Sequence, residues 1–200
     1  MPELCNVYFI RSARLGFRQW RPTDLDLAIS LWADANVTHL IGGPFAETAI
    51  RQRLDEEMRM QRERGVQYWP LFLLESGEFA GCCGLRHADA REPAYELGFH
   101  LHRQQWGKGL ASEAAARVIA HAKESLSLAA IFAGHHPENG GSRRILAQLG
   151  FIGTGDEYYA PTGLRHPSYR LDLCAGTQGT DGGKMPGNAA IHGAPSTSCR

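Results

Sequence analysis

The spacing of apolar residues changes period several times along the chain, and each change marks an element. Residues 1–13 carry no clean pattern and read as an irregular lead-in. Residues 15–21 alternate apolar and polar side chains, as a half-buried strand does. Pro22 and Thr23 then open a helix, with Thr23 as its cap and Asp26 as the capping-box partner; Leu27, Ala28, Leu31, Trp32 and Ala35 form its apolar face. Gly42-Gly43-Pro44 breaks the chain before a second helix over residues 47–64, with Ile50, Leu54 and Met58 on one stripe and Gly65 as its stop.

Beyond Gly65 the period shortens. Apolar runs at 68–74 and 79–85 are separated by Glu75-Ser76-Gly77-Glu78, the signature of a hairpin. A strand over 95–101 leads into an Ala-rich helix over 109–125, a strand over 128–133, a helix over 142–149, and strands at 151–154 and 168–174. The order β-α-α-β-β-β-α-β-α-β-β predicts an α/β chain in which one mixed sheet is covered by helices. No internal repeat is visible.

Composition narrows the function classes. Two hundred residues with 43% hydrophobic and 21% charged side chains suit one domain with its own core. Twenty-one basic and 21 acidic residues cancel, so no global field gathers nucleic acid or an anionic membrane, and any anion site has to be local. No run approaches the roughly 20 apolar residues of a membrane span, and residue 1 onward lacks a secretory signature, so a cytoplasmic protein is expected. Residues 175–200 hold six of the 23 glycines and one aliphatic β-branched residue, Ile191. That segment reads as a disordered tail, with a purification scar, a frameshifted end or a functional tail as the other origins. The expected division is therefore lead-in 1–13, domain 14–174 and tail 175–200.

The five cysteines, Cys5, Cys82, Cys83, Cys174 and Cys199, have no metal-like spacing; Cys82 and Cys83 read as small buried hydrophobes. His100-x-His102 and His135-His136 suggest scattered surface or cleft imidazoles, and no metal site is expected. Trp20, Trp32, Trp69 and Trp106 read as core and turn packing.

The stretch from Tyr95 to Ala111 carries the chemistry. A strand enters a glycine-bearing turn that opens a long helix, so several N–H groups converge with the helix dipole behind them. Gly107 and Gly109 let backbone wrap an anion closely, and Arg103 and Lys108 add local positive charge. There is no G-x-x-x-x-G-K-[ST] and no G-x-G-x-x-G followed by an acidic residue, so nucleotide hydrolysis and dinucleotide binding lose support. A Gly-rich strand-to-helix turn without a ligand is the alternative.

Gln104-x-x-Gly107-x-Gly109, with Ala111 following, resembles the acyl-CoA pyrophosphate signature of the GNAT N-acetyltransferase superfamily. Glu96-Leu97-Gly98 upstream, and His136-Pro137-Glu138-Asn139-Gly140-Gly141-Ser142-Arg143-Arg144 through Leu149-Gly150-Phe151 downstream, resemble its ribosomal-protein alanine N-acetyltransferase branch. The resemblance implies a central mixed, mostly antiparallel, splayed sheet flanked by helices. It also implies acetyl-CoA as co-substrate, its pantetheine arm added beside the glutamate-bearing strand like an extra strand. Phe99, His100, Leu101 and His102 would line that arm. Gln104, Gln105, Trp106, Gly107, Lys108, Gly109 and Leu110, with Ala111, would hold the pyrophosphate. Asn139 would meet the arm near the thiol, and Arg143 or Arg144 would either reach the 3′-phosphate or stand on an exposed helix face.

Acetyl transfer needs a neutral amine, a polarised thioester carbonyl and a proton for the leaving thiolate. Glu96 is the candidate base, directly or through water, or else a solvated strand glutamate; an N–H near Leu101 would polarise the carbonyl. Ser142 is either the acid or the N-cap of the short helix, with Tyr158 and Tyr159 as reserve acids. Where relatives often carry a glutamate before the glycine, this chain has Thr154-Gly155, which leaves Asp156 and Glu157 as substitute bases. An α-amine reaches its neutral form about 2.5 pKa units, or roughly 3.5 kcal/mol, more cheaply than lysine. The expected acceptor is therefore a protein N-terminus or a small-molecule amine, the protein being a monomer or homodimer. Asp55, Glu56 and Glu57 form either a solvated helix face or an attraction for a cationic acceptor. An inactive acyl-CoA-binding sensor on the same fold is the competing function.

Overall fold

The computed structural model describes residues 7–88 and 94–173; the expected tail, the first six residues of the lead-in, and Cys5, Cys174 and Cys199 lie outside them. Eight strands form one sheet in the order β1-β2-β3-β4-β5-β6-β8-β7. They are β1 (Ile10–Arg11), β2 (Leu15–Phe17), β3 (Tyr68–Leu73), β4 (Phe79–His87), β5 (Tyr95–Leu101), β6 (Ala130–Gly134), β7 (Ile152–Tyr159) and β8 (Leu164–Asp172). The helices are α1 (Leu25–Trp32), α2 (Ala35–Thr38), α3 (Glu47–Arg64), α4 (Leu110–Glu124) and α5 (Gly140–Gln148). Every neighbouring pair is antiparallel except β5 with β6.

Strand alternation sends successive side chains to opposite faces, and the two faces carry separate cores. Trp69, Leu71, Cys83, Leu85, Leu97 and Leu101 pack with Leu110, Ala114, Ala115 and Val118 of α4 and Leu146 of α5. On the other face Tyr68 and Cys82 pack with Ala28, Leu31 and Trp32 of α1 and Ile50 and Leu54 of α3. Burial pushes the Cys82 thiol up to about 12 and Cys83 well above its ordinary value, so both are inert core hydrophobes, as expected.

The structure departs from the sequence reading at five places. Within the expected lead-in, Ile10 and Arg11 pair with Phe17 and Gly16, and Ile10 is a core residue. The start of α1 is organised by Asp24, whose carboxylate accepts the Arg21 N–H at 2.7 Å and two bonds from Arg18; Thr23 and Asp26 form no capping box. Ala35 starts a separate short helix, capped by Asp34, because α1 ends at Trp32. In α5 the cap is Asn139, whose Oδ1 accepts the Ser142 N–H at 2.9 Å, so Ser142 lies inside the first turn and its hydroxyl is not spent on capping. The last strands are longer than expected and form a hairpin that carries Tyr158 and Tyr159.

Candidate active site

β5 and β6 run parallel and, among the described residues, pair at Glu96 and Phe132 alone. Beyond that point they diverge. The Leu85 N–H bonds to Gln67 O on the β3 side, so alternation turns Gly84 and Arg86 toward β5 and pairs them with Gly98 and Glu96. By the same alternation the N–H groups of Phe99 and Leu101 face away from β4, into the divergence. The Leu101 carbonyl on that edge accepts the Trp106 indole N–H at 2.8 Å.

The divergence opens into a cavity of about 990 Å³, at the upper end of the usual range for a ligand pocket. At one mouth lies the turn before α4. Its Gly107 and Gly109 have φ of 72° and 76°, a region that glycine enters without strain, and nothing lies within 4 Å of where a Gly107 Cβ would stand. The first N–H groups of α4 have no intrahelical acceptor, and Gly109, Leu110, Ala111 and Ser112 line the cavity. The turn is braced from outside. Gln105, buried, donates to Glu78 Oε1 at 3.1 Å and accepts from Lys108 Nζ at 3.1 Å, while Arg14 donates to the Lys108 carbonyl at 2.9 Å. Glu113, one turn into α4, accepts from Ser12 Oγ, Arg14 N and Arg14 Nε at 2.7 to 2.8 Å.

Of the residues selected from sequence, Glu96, Phe99, His100, Leu101, Gln105, Trp106, Gly107, Gly109, Leu110, Ala111, Asn139, Ser142, Arg144 and Tyr158 line this one cavity. His102, Gln104 and Lys108 stand outside its wall: the His102 ring lies edge-on to Phe79, Gln104 is exposed, and Lys108 is turned back on Gln105. Arg144 lines the cavity and Arg143 does not. Glu157 lines it as well, whereas Asp156 does not.

Glu96, Gly98 and His100 project on the α1/α3 face, and the far wall there is polar. Tyr68, Arg86 and, from the β7–β8 hairpin, Tyr159 feel the charge of Glu96, and Arg53 lines the same cavity. Arg86 NH2 bonds Glu57 Oε1 at 2.6 Å, and Glu57 Oε2 accepts the Tyr68 N–H at 2.7 Å. Glu57 is 1% exposed and therefore belongs to the structure of this wall; the solvated-face and cation-attracting readings do not hold for it. The reason is helical position, since residue 57 falls seven after Ile50 and three after Leu54 on the inward stripe. Burial holds the His100 imidazole well below its usual range, with Arg53 and Arg86 adding to the effect, so it is neutral; its Nδ1 lies 3.4 Å from Trp32 Nε1 and accepts from it. Burial, then the charge of Glu96, raises the Tyr159 hydroxyl. Tyr159 is 37% exposed and Tyr158 is 67% exposed.

Residues 14–152 match the model of the Acetyltransferase (GNAT) domain. The chain belongs to the GNAT acetyltransferase family. It is 31% identical over 140 residues to the uncharacterized N-acetyltransferase p20 of Bacillus licheniformis, a match covering 69% of this chain and 79% of that one. Among solved structures, an acetyltransferase from Agrobacterium tumefaciens superposes with a TM-score of 0.71 at 24% identity, over 83% of this chain and 97% of that one. RimL, a ribosomal L7/L12 alpha-N-protein acetyltransferase solved in complex with coenzyme A, superposes with a TM-score of 0.68 at 15% identity, over 80% and 95%. The open, mostly antiparallel sheet is thus a GNAT fold, and the chain is an N-acetyltransferase of that family. Within the GNAT domain, sequence reasoning missed Arg53, Tyr68 and Arg86. Their only local signal is the inward position of Arg53, three residues after Ile50, because pairing across α3, β3 and β4 leaves no trace in spacing.

Proposed function

We propose that this chain transfers the acetyl group of acetyl-CoA to a primary amine by direct attack within a ternary complex. The observation that carries this reading is the divergence of β5 and β6 at Glu96, with the glycine turn of α4 at its mouth. The outward N–H groups of Phe99 and Leu101 suit an extended amide-bearing arm, and the turn's amides with Gly107 and Gly109 suit a pyrophosphate. The coenzyme A bound to RimL supports the same ligand here. When bound, acetyl-CoA supplies the acyl carbon; the remaining chemistry falls to the chain.

Glu96 takes the proton released as the amine nitrogen forms its bond to that carbon. The Leu101 N–H points to where negative charge grows on the acyl oxygen. The carbon–sulfur bond breaks, and the thiolate receives a proton from a hydroxyl of the cavity lining. Ser142, Tyr158 and Tyr159 line the same cavity and are the candidate donors. Tyr159 is favoured over Tyr158 because it is less exposed and senses the charge of Glu96. Asn139, held by its bond to Ser142 N, positions the first turn of α5 beside the reacting centre.

Initial rates of thiol release, varied in both acetyl-CoA and amine, test the scheme. Direct attack gives intersecting lines and no acetylated protein by intact mass. Parallel lines with an acetylated enzyme would replace it with a covalent route.

A further inference from the structure

Arg53 is a half-buried cation that shares its nearest carboxylate with a second arginine. Its Nε is inaccessible to solvent and makes no hydrogen bond. The carboxylate beside it, Glu57, lies 3.8 Å away and is already engaged by Arg86 at 2.6 Å and by the Tyr68 N–H at 2.7 Å. The guanidinium is kept in place by aromatic faces, 4.3 Å from the Trp32 centroid and 6.0 Å from that of Tyr68, while Arg86 sits 4.8 Å over the same Tyr68 ring. Both arginines line the cavity that Glu96 lines, and Arg86 is the strand partner of Glu96. Burial and the neighbouring Arg86 both disfavour the charge on Arg53.

Counting charges on this wall gives a direction. Arg53 and Arg86 balance Glu57 and Glu96 as long as Glu96 is ionised. Once Glu96 accepts the amine proton, the wall carries one excess positive charge in a desolvated site, which is costly unless an anion enters with the acceptor. An acceptor with a carboxylate near its amine keeps the site neutral before and after proton transfer. A purely cationic amine does not.

Resting on the acetyl-transfer reading, we infer that Arg53 docks a carboxylate carried by the acceptor, which makes the acceptor an amino carboxylate of small size. Arg53 offers its planar fork to the carboxylate, the geometry that guanidinium groups match best. The acceptor's amine then lies toward Glu96, one strand pairing from Arg86.

Matched acceptors separate this from chemical reactivity: free amino acids against the α-amides of the same amino acids, together with short N-terminal peptides. The amide has the less basic amine, so reactivity alone favours it. With wild-type protein we expect kcat/KM for the acids to exceed that for the amides at least tenfold. Arg53→Met should bring the ratio close to one, chiefly by raising KM for the acids, and Arg53→Lys should keep part of it. Calorimetric titration of the same acids and amides into protein saturated with coenzyme A reads the subsite without turnover. Acids should bind to wild type, and their affinity should fall at least tenfold in Arg53→Met. Amides or peptides preferred by the wild type, or equal losses for acids and amides in Arg53→Met, would overturn the carboxylate subsite and leave acetyl transfer standing. Thiol release from no acceptor would instead sink acetyl transfer, and the calorimetric comparison would still decide for or against the subsite.

Discussion

Glu57 of α3 and Arg86 of β4 meet at 2.6 Å, and the Glu57 side chain is 1% exposed, so one carboxylate ties the helix to the middle of the sheet beside the cavity. Removing the carboxylate leaves Arg86, 32% exposed, without its charged partner, which costs about 1.5–3 kcal/mol. Glu57→Gln retains the shape and an acceptor for the Tyr68 N–H but loses the charge. We expect it to lower unfolding free energy by that amount, read as a fall in urea midpoint at constant slope.

Gly98 faces Tyr68 across the sheet. A Cβ at residue 98 would stand 2.4 Å from the Tyr68 hydroxyl and ring carbon Cζ, and Tyr68 is buried. Gly98→Ala should therefore destabilise by about 1–3 kcal/mol, as overpacking does. It should also displace the Tyr68 ring, against which Arg53 and Arg86 both lie, so that acceptor KM rises more than acetyl-CoA KM. Equal stability of Gly98→Ala and wild type in urea would refute this packing.

Acid should weaken the fold in a defined window. His100, His102, His121 and His166 are all held below the ordinary imidazole value of 6.5, burial being the largest cause in each. Below pH 6.5 the unfolded chain binds protons that the folded chain refuses, so stability falls as pH drops through 6.5 toward the folded values and levels off above. His100 alone accounts for at most about 1.4 kcal/mol per pH unit. Urea midpoints at pH 7.5, 6.5 and 5.5 should decline more steeply over the lower interval than the upper, and His100→Asn should flatten that decline.

The β1–β2 loop holds the glycine turn through Glu113, which gathers Ser12, Arg14 N and Arg14 Nε. Charge-assisted bonds are worth more than neutral ones, but Arg14 is half-exposed and the pair is screened. Glu113→Ala should cost about 1–2 kcal/mol of stability. If the clamp shapes the turn, the same variant raises KM for acetyl-CoA several-fold and leaves KM for the amine unchanged. A rise in both would assign Glu113 to overall stability alone.

What the sequence revealed depended on how local each signal was. The helix over Glu47–Arg64 and the strand over Tyr95–Leu101 were legible to the residue, because a stop glycine and a strict period each act within one element. The turn with Gly107 and Gly109 was legible for the same reason, and most of the residues chosen around it share one cavity. β1 was not, since two residues are too short to show a period. Ser142 reads from sequence as a candidate cap of the short helix, and hydrogen-bond geometry assigns that cap to Asn139. The wall of Arg53, Glu57, Tyr68 and Arg86 was not legible as a unit: it joins three elements, and Glu57 looks from sequence like one more acidic residue on a charged helix.

The most direct test of the account is thiol release coupled to amine acetylation in wild type and in Gly109→Glu. This substitution puts a side chain at φ 76° and a carboxylate where the turn is to receive phosphates. The account predicts one free thiol per acetylated amine for wild type, and a KM for acetyl-CoA raised at least tenfold in the variant. Binding of acetyl-CoA without thiol release from any amine, or an unchanged KM in Gly109→Glu, would contradict it.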